Sequence, residues 1–159
     1  MLHLIERLIP APVHRAILPW AHRIRRRWRR FRRVQLQGVS VILRDEAGRV
    51  LLLRHSYGAP VWALAGGGLS ASENPAEGAR REVREELGIE ITELTLLDEL
   101  NEVISGSPHR AYIFSALCQG TPKPDMREIL EAKFFAPDDL PDNISALTQR
   151  RLALVPSQQ

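Results

Sequence analysis

Gly67-Gly68-Leu69-Ser70-Ala71-Ser72-Glu73-Asn74-Pro75-Ala76-Glu77-Gly78-Ala79-Arg80-Arg81-Glu82-Val83-Arg84-Glu85-Glu86-Leu87-Gly88-Ile89 is the stretch on which the reading of this chain turns. Most of it reads as a helix. Asn74 is a good N-cap, Pro75 suits the first helical position, Glu77 completes a box-like start, and Gly88 stands where a C-cap is needed. On a helix advancing about 100° per residue, Ala76, Ala79, Val83 and Leu87 form one stripe that packs on a sheet. Glu82, Glu85 and Glu86 fall within an arc of roughly 100° beside it. Three like charges on one face repel, and Arg81, which reaches Glu85 at i+4, does not neutralise all three. A hard divalent cation, Mg²⁺ or Mn²⁺, does so, and an all-oxygen ligand set suits it. Before the helix, Gly66-Gly67-Gly68 lets the backbone approach a bound group closely, and a loop entering a helix N-terminus presents N–H groups to phosphate oxygens. Metal, phosphate and clustered carboxylates together imply hydrolysis of a phosphoanhydride, the metal neutralising the diphosphate and polarising a phosphorus for attack by water. Glu-Val-Arg-Glu-Glu alone would suggest a solvated acidic face; the fixed spacing of Gly67, Glu73, Arg81, Glu82, Glu85, Glu86 and Gly88 points to chemistry instead.

This segment resembles the Nudix box, Gly-x5-Glu-x7-Arg-Glu-apolar-x-Glu-Glu-x-Gly-apolar, at every specified position. The resemblance implies a Nudix-type mixed β-sheet sandwich between helices, with the box as a loop–helix–loop. It implies that Glu82, Glu85 and Glu86 ligate metal, with the Gly66 carbonyl as an added ligand. Arg81 would orient a carboxylate by a salt bridge, Glu73 would stabilise the loop–helix geometry, and Glu82 or a downstream glutamate would act as base. The expected substrate is a nucleoside diphosphate linked to another group, and the expected cofactor is Mg²⁺ or Mn²⁺. The chain departs from the family's habits at Ala65, where a proline often precedes the glycines, and at Ser70 and Ser72, which replace a frequent acid and glycine. No ligand position is lost.

Outward from the box the texture is strand-like. Val39–Leu43 and Val50–Leu53 are aliphatic or β-branched runs joined by Asp45-Glu46-Ala47-Gly48, a hairpin-like connection. Val61–Leu64 is a short apolar piece leading into the glycines. Ile91–Val103 and Arg110–Cys118 read as strands about a Ser105-Gly106-Ser107-Pro108 turn, and Ile129–Phe135 as another. Ile144–Leu154 reads as a closing helix capped by Asp142 or Asn143. Strands with one central and one terminal helix make a mixed α/β or α+β sandwich.

Outside the box the candidates are fewer. Arg54, His55 and Tyr57 follow a strand and precede the glycines, where they can meet a phosphate or stack on a base. Arg54, Gly67 and Gly68 are the expected substrate contacts. Glu128 and Glu131 lie in a region where the resemblance places a further glutamate. Glu128, at a loop–strand boundary, is the expected water-activating residue.

The ends of the chain differ in charge. Residues 1–33 hold ten arginines and one acid, Glu6, while the remainder holds 12 basic and 18 acidic residues. The positive sign of the net charge, +3, therefore comes from an arm, and the acidic body suits a metal site better than a nucleic-acid groove. Ile17, Trp20, Ala21, Ile24, Trp28 and Phe31 recur at helical spacing, so residues 1–34 read as an Arg-rich amphipathic helical arm, 35–155 as the hydrolase domain and 156–159 as a tail. That arm suggests peripheral membrane binding or self-association, with nucleic acid less favoured. A cytoplasmic location, membrane-associated through the arm, is the matching expectation. The rival to an enzyme is a nucleotide-sensing binding protein; a full set of ligating glutamates favours the enzyme. The single cysteine, Cys118, excludes an intramolecular disulfide and reads as a small buried hydrophobe. A hydrophobic share of 44% with 26% charged residues excludes general disorder.

Overall fold

A computed structural model describes residues 36–104 and 106–155. The elements run β1 (Leu36–Arg44), β2 (Val50–His55), β3 (Trp62–Ala63), α1 (Pro75–Leu87), β4 (Thr95–Ile104), β5 (Ser107–Leu117), β6 (Ile129–Phe135) and α2 (Ala146–Leu152). The β1–β2 connection closes as expected: Asp45 accepts from the backbone N–H of Arg49 and Gly48, and Gly48 takes φ 76°. Beyond Arg44↔Val50, however, β1 and β2 stop pairing. They splay, and residues 62–69 fill the opening. Ala63 and Trp62 bond to β2 at Leu53 and Arg54. Val41 donates to Ala65 O at 2.8 Å, Val39 to Gly67 O at 2.9 Å, and Leu69 to Gln37 O at 2.9 Å. The glycine run is thus an irregular strand seated against β1 rather than a free loop.

β1 pairs in parallel with β5 along its whole length, β5 pairs antiparallel with β4, and β6 runs antiparallel along β2. The result is an open mixed sheet flanked by two helices. Both faces are buried, which is why β1 and β2 are almost continuously apolar. Val39, Val41, Leu43, Leu51 and Leu53 join Ala79, Val83 and Leu87 of α1 in one core. Ile42, Val50 and Leu52 join Trp62, Ile113 and Ile144 in the other, against which Leu152 of α2 packs. The predicted stripe of α1 is therefore the packing face, with Ala76 partly buried at its start. Cys118 is buried beside it.

The start of α1 is held by Asn74 Oδ1, which accepts from the N–H of Ala76 at 2.9 Å and of Glu77 at 3.4 Å. Asn74→Ala is expected to lower stability by about 1 kcal/mol, read as a shift in the urea midpoint with unchanged slope. Glu77 does not complete a capping box. Its carboxylate turns outward to Arg80 at 3.1 Å. Gly88 closes the helix at φ 65°, its N–H donating to Arg84 O.

The closing helix begins later than its sequence suggests, and neither Asp142 nor Asn143 caps it. Asn143 O accepts from Trp62 N and Ser145 N donates to Trp62 O, so this stretch is spent extending the sheet beside β3. Ser145 then caps α2 through its hydroxyl, which accepts from Thr148 N at 3.0 Å. Buried Arg151 of α2 binds Ser40 of β1 and Glu102 of β4 at 2.8 Å, fastening the helix to the sheet.

The arm read from residues 1–34 and the tail 156–159 lie outside the described residues, Leu36 being the first described. The expected membrane association needs correction: among the described residues no helix is long and apolar enough to cross a membrane.

Candidate active site

Arg81 organises the carboxylates. From the middle of α1 its Nε and Nη2 donate to both oxygens of Glu73, at 2.7 and 3.1 Å. Its Nη1 donates to Glu82 at 2.8 Å and to Glu85 at 3.2 Å, and Nη2 also reaches Gly68 O at 3.3 Å. Glu73 in turn accepts from Ser70 N at 2.9 Å. The loop before α1 is therefore buckled to the helix by one guanidinium, whose forked donors suit a bidentate carboxylate. The Arg81 hydrogen bond, then that of Ser70, holds the Glu73 carboxyl below the ordinary range.

Glu82 and Glu86 lie deeper. Burial pushes the Glu82 carboxyl up, against the opposing pull of Arg81. Glu86, 7% exposed, is pushed well above its ordinary value, first by burial and then by the neighbouring Glu82 charge. Its one hydrogen-bond donor on the glycine segment is Gly66 N, at 3.0 Å.

The glycines have a tighter purpose than close approach to a ligand. At Gly67 a Cβ would stand 2.5 Å from the Glu82 carboxyl, so the missing side chain is the space that carboxyl occupies. Gly66 has φ 141°, and a Cβ there would stand 2.2 Å from Val39 O. At Gly68 nothing lies within 4 Å of that position, leaving this end of the segment open.

Among the described residues no group of three or more His, Cys, Asp or Glu side chains stands together as a metal site. The reason is visible in the contacts: Arg81 engages Glu82 and Glu85, and Glu86 is turned to Gly66 N. The donor chemistry still fits a hard divalent ion. It is all oxygen, and buried Glu86 neighbours part-buried Glu82, where their charge is disfavoured without a cation.

Glu128 comes to the same place from the far end of the chain. Its charge, with those of Glu82 and Glu86, acts on the half-buried hydroxyl of Tyr57, raising it after the larger effect of burial. Tyr57 packs on His55 with ring centroids 5.3 Å apart. Arg54 is placed otherwise: its Nε pairs with Glu131 at 3.2 Å across β2 and β6, and its guanidinium lies over the Trp62 ring. Sequence reasoning set Glu131 beside Glu128 as a candidate, but its carboxylate serves that cross-strand pair. Asp125, which fixes the turn before Glu128, was missed, and no local pattern marks it. On the opposite side of the glycine segment lies a cavity of about 240 Å³, lined by Ser40, Gly66, Gly67, His109, Thr148 and Arg151.

Comparison with known proteins agrees with this architecture. A sequence model described as the NUDIX domain matches residues 34–156. The chain is similar to a MutT NUDIX hydrolase from Burkholderia pseudomallei, with 27% identity and a TM-score of 0.70 over 77% of this chain and 99% of that one. The NUDIX domain of Shewanella oneidensis NrtR, solved with ADP ribose, shares the fold at 16% identity and a TM-score of 0.65, over 76% of this chain and 86% of that one. A stretch of 59 residues is 36% identical to an RNA pyrophosphohydrolase of Teredinibacter turnerae, covering 37% of this chain and 34% of that relative's length. With the domain match spanning most of the chain and the box folded into one bonded unit, the chain belongs to the Nudix hydrolase family.

Proposed function

We propose that the protein hydrolyses a phosphoanhydride bond in a nucleoside diphosphate linked to another group. The observation that carries this reading is the bonded unit of Arg81, Glu73, Glu82 and Glu85 beside buried Glu86, at the spacing of the complete box. Glu82, Glu85 and Glu86 are the residues that would hold Mg²⁺ or Mn²⁺, with the Gly66 carbonyl as a further oxygen donor. When bound, the ion supplies charge neutralisation and polarisation at the diphosphate.

The chain's own residues do the rest. Arg81 keeps Glu82 and Glu85 aimed to one side while Glu73 fixes Arg81 in turn. Glu128 takes the proton of the attacking water, a role that requires it to stand within hydrogen-bond reach of that water. Gly67 and Gly68 bring the backbone to the phosphates, and Arg54 exchanges its partly exposed bond to Glu131 for a phosphate oxygen. The group attached to the diphosphate enters the cavity behind Gly66 and Gly67. At about 240 Å³ that cavity is below the roughly 300–1,000 Å³ of common ligand sites, so it takes a single ring-sized group.

The test is turnover of a panel with Mg²⁺, analysed by mass spectrometry: ADP-ribose, nucleoside triphosphates, dinucleoside polyphosphates, nucleotide sugars and, from the relative's name, RNA. One class should be cleaved between phosphorus atoms, and Glu85→Gln should lower its kcat/KM by at least about a hundredfold. A wild-type protein that turns over no member would sink the proposal.

A further inference from the structure

The turn that delivers Glu128 is built around one carboxylate. Asp125 Oδ1 accepts from three successive backbone N–H groups, those of Arg127 at 3.0 Å, Glu128 at 3.0 Å and Ile129 at 2.8 Å, and Oδ2 takes a second bond from Glu128 N at 3.2 Å. Inside the turn Met126 adopts φ 59°, the one left-handed non-glycine among the described residues, with its N–H on Ile129 O at 3.0 Å. Such a conformation is unfavourable for a side-chain-bearing residue and persists only where surrounding bonds determine it.

Those bonds tie the turn to both halves of the site. On one side Asp125 N donates to Glu86 O at 3.1 Å and Lys123 N to Leu87 O at 2.7 Å, at the C-terminal end of α1. On the other, Ser56 N donates to Glu128 O at 2.8 Å and Ser56 Oγ to Arg127 O at 2.7 Å, at the exit of β2. Tyr57, the next residue, stands where the Glu128 charge raises its hydroxyl further, after the larger effect of burial.

We propose that Asp125 is a positioning residue: through the three N–H groups it gathers, it sets Glu128 over the box. The inference rests on the reading of Glu128 given above. Asp125 itself touches no reacting atom. Its carboxylate is occupied by backbone, and it sits three residues before the group it places. A displacement of about 1 Å in a reacting group can cost on the order of a hundredfold in rate, so a loosened turn acts on kcat while leaving binding alone.

A double-mutant cycle tests this on the panel member that the wild type cleaves, with Mg²⁺ saturating. Glu128→Gln is expected to lower kcat at least about tenfold. Asp125→Ala should lower kcat about tenfold with KM within about twofold, and Asp125→Asn, whose amide oxygen can still accept, should stay within about threefold of wild type. Asp125→Ala/Glu128→Gln should be no slower than Glu128→Gln alone, because a misplaced residue cannot be lost twice. Amide hydrogen exchange without substrate or metal gives an independent readout: Asp125→Ala should speed exchange in residues 126–130 and leave α1 unchanged. Multiplying losses in the double variant, or wild-type kcat in Asp125→Ala, overturns the inference while leaving Glu128 in its role. Wild-type kcat in Glu128→Gln removes the Glu128 reading itself, and this role with it. If Asp125→Ala does not fold, Asp125→Ser, which keeps one acceptor at the head of the turn, carries the same cycle, and a loss that multiplies with Glu128→Gln overturns the proposal.

Discussion

Glu86→Gln is expected to lower kcat/KM by at least about a hundredfold and, without divalent metal, to raise Tm at neutral pH. The two effects have one origin. A carboxyl 7% exposed beside Glu82 titrates well above its ordinary value, because burial and the neighbouring charge disfavour the ionised form. The folded state therefore holds that proton more tightly than the unfolded chain does. Below the unfolded value, near 4.5, the group is protonated in both states and carries no penalty. As pH rises from there through the raised folded value, the unfolded state releases its proton first and the fold loses stability. Glutamine keeps an oxygen for Gly66 N and removes the charge, so the Tm gap between variant and wild type should widen with pH across that window. Mg²⁺ should close the gap by stabilising wild type and not the variant. A metal-free variant that melts below wild type at pH 7 would refute this account of Glu86.

Gly66→Ala and Gly67→Ala should fail in different ways, although the residues are adjacent. At Gly66 the backbone φ of 141° is nearly closed to side-chain-bearing residues, and a Cβ would stand 2.2 Å from Val39 O and 3.0 Å from Ser40 Cα. Those are backbone atoms of β1, held by the pairing of β1 with β5, and they cannot give way. A loss of more than about 4 kcal/mol is expected, enough to unfold a marginally stable domain. At Gly67 the collision is with the Glu82 carboxyl, at 2.5 Å, the far end of a side chain that can turn aside. That variant should fold and lose activity. Gly48→Ala is the control, since its φ is 76° with nothing within 4 Å, and about 1–2 kcal/mol is expected. Circular dichroism and urea titration separate the three; a Gly66→Ala protein with a wild-type urea midpoint would contradict the clash.

What could be read from the chain alone is what is encoded locally. α1 was bounded correctly because Asn74, Pro75 and Gly88 act on their own immediate backbone. The strands around it were placed, within a few residues at their ends, by apolar runs that both faces of the sheet require. The start of α2 was misplaced because Asn143 and Ser145 answer to Trp62, some 80 residues away, and a cap cannot be told from a strand extension without that partner. Asp125 escaped notice for the same reason, since its turn is meaningful only once Glu86, Leu87 and Ser56 stand around it. The carboxylates were foreseen as a cluster awaiting an ion. Spacing puts Arg81 within reach of Glu85, but it could not reveal that the same guanidinium would also hold Glu73, Glu82 and Gly68 O.

The splayed opening between β1 and β2 also bears on how such an enzyme can be diversified. Residues 62–69 are bonded to β2 at one end and β1 at the other, so the distance from sheet to box is fixed like the fret of an instrument. Residues 58–60, just before that span, are exposed, and a Cβ at Gly58 would meet nothing. Libraries that lengthen the chain at 58–60 should retain folded, active members far more often than libraries that insert a single residue between Leu64 and Leu69.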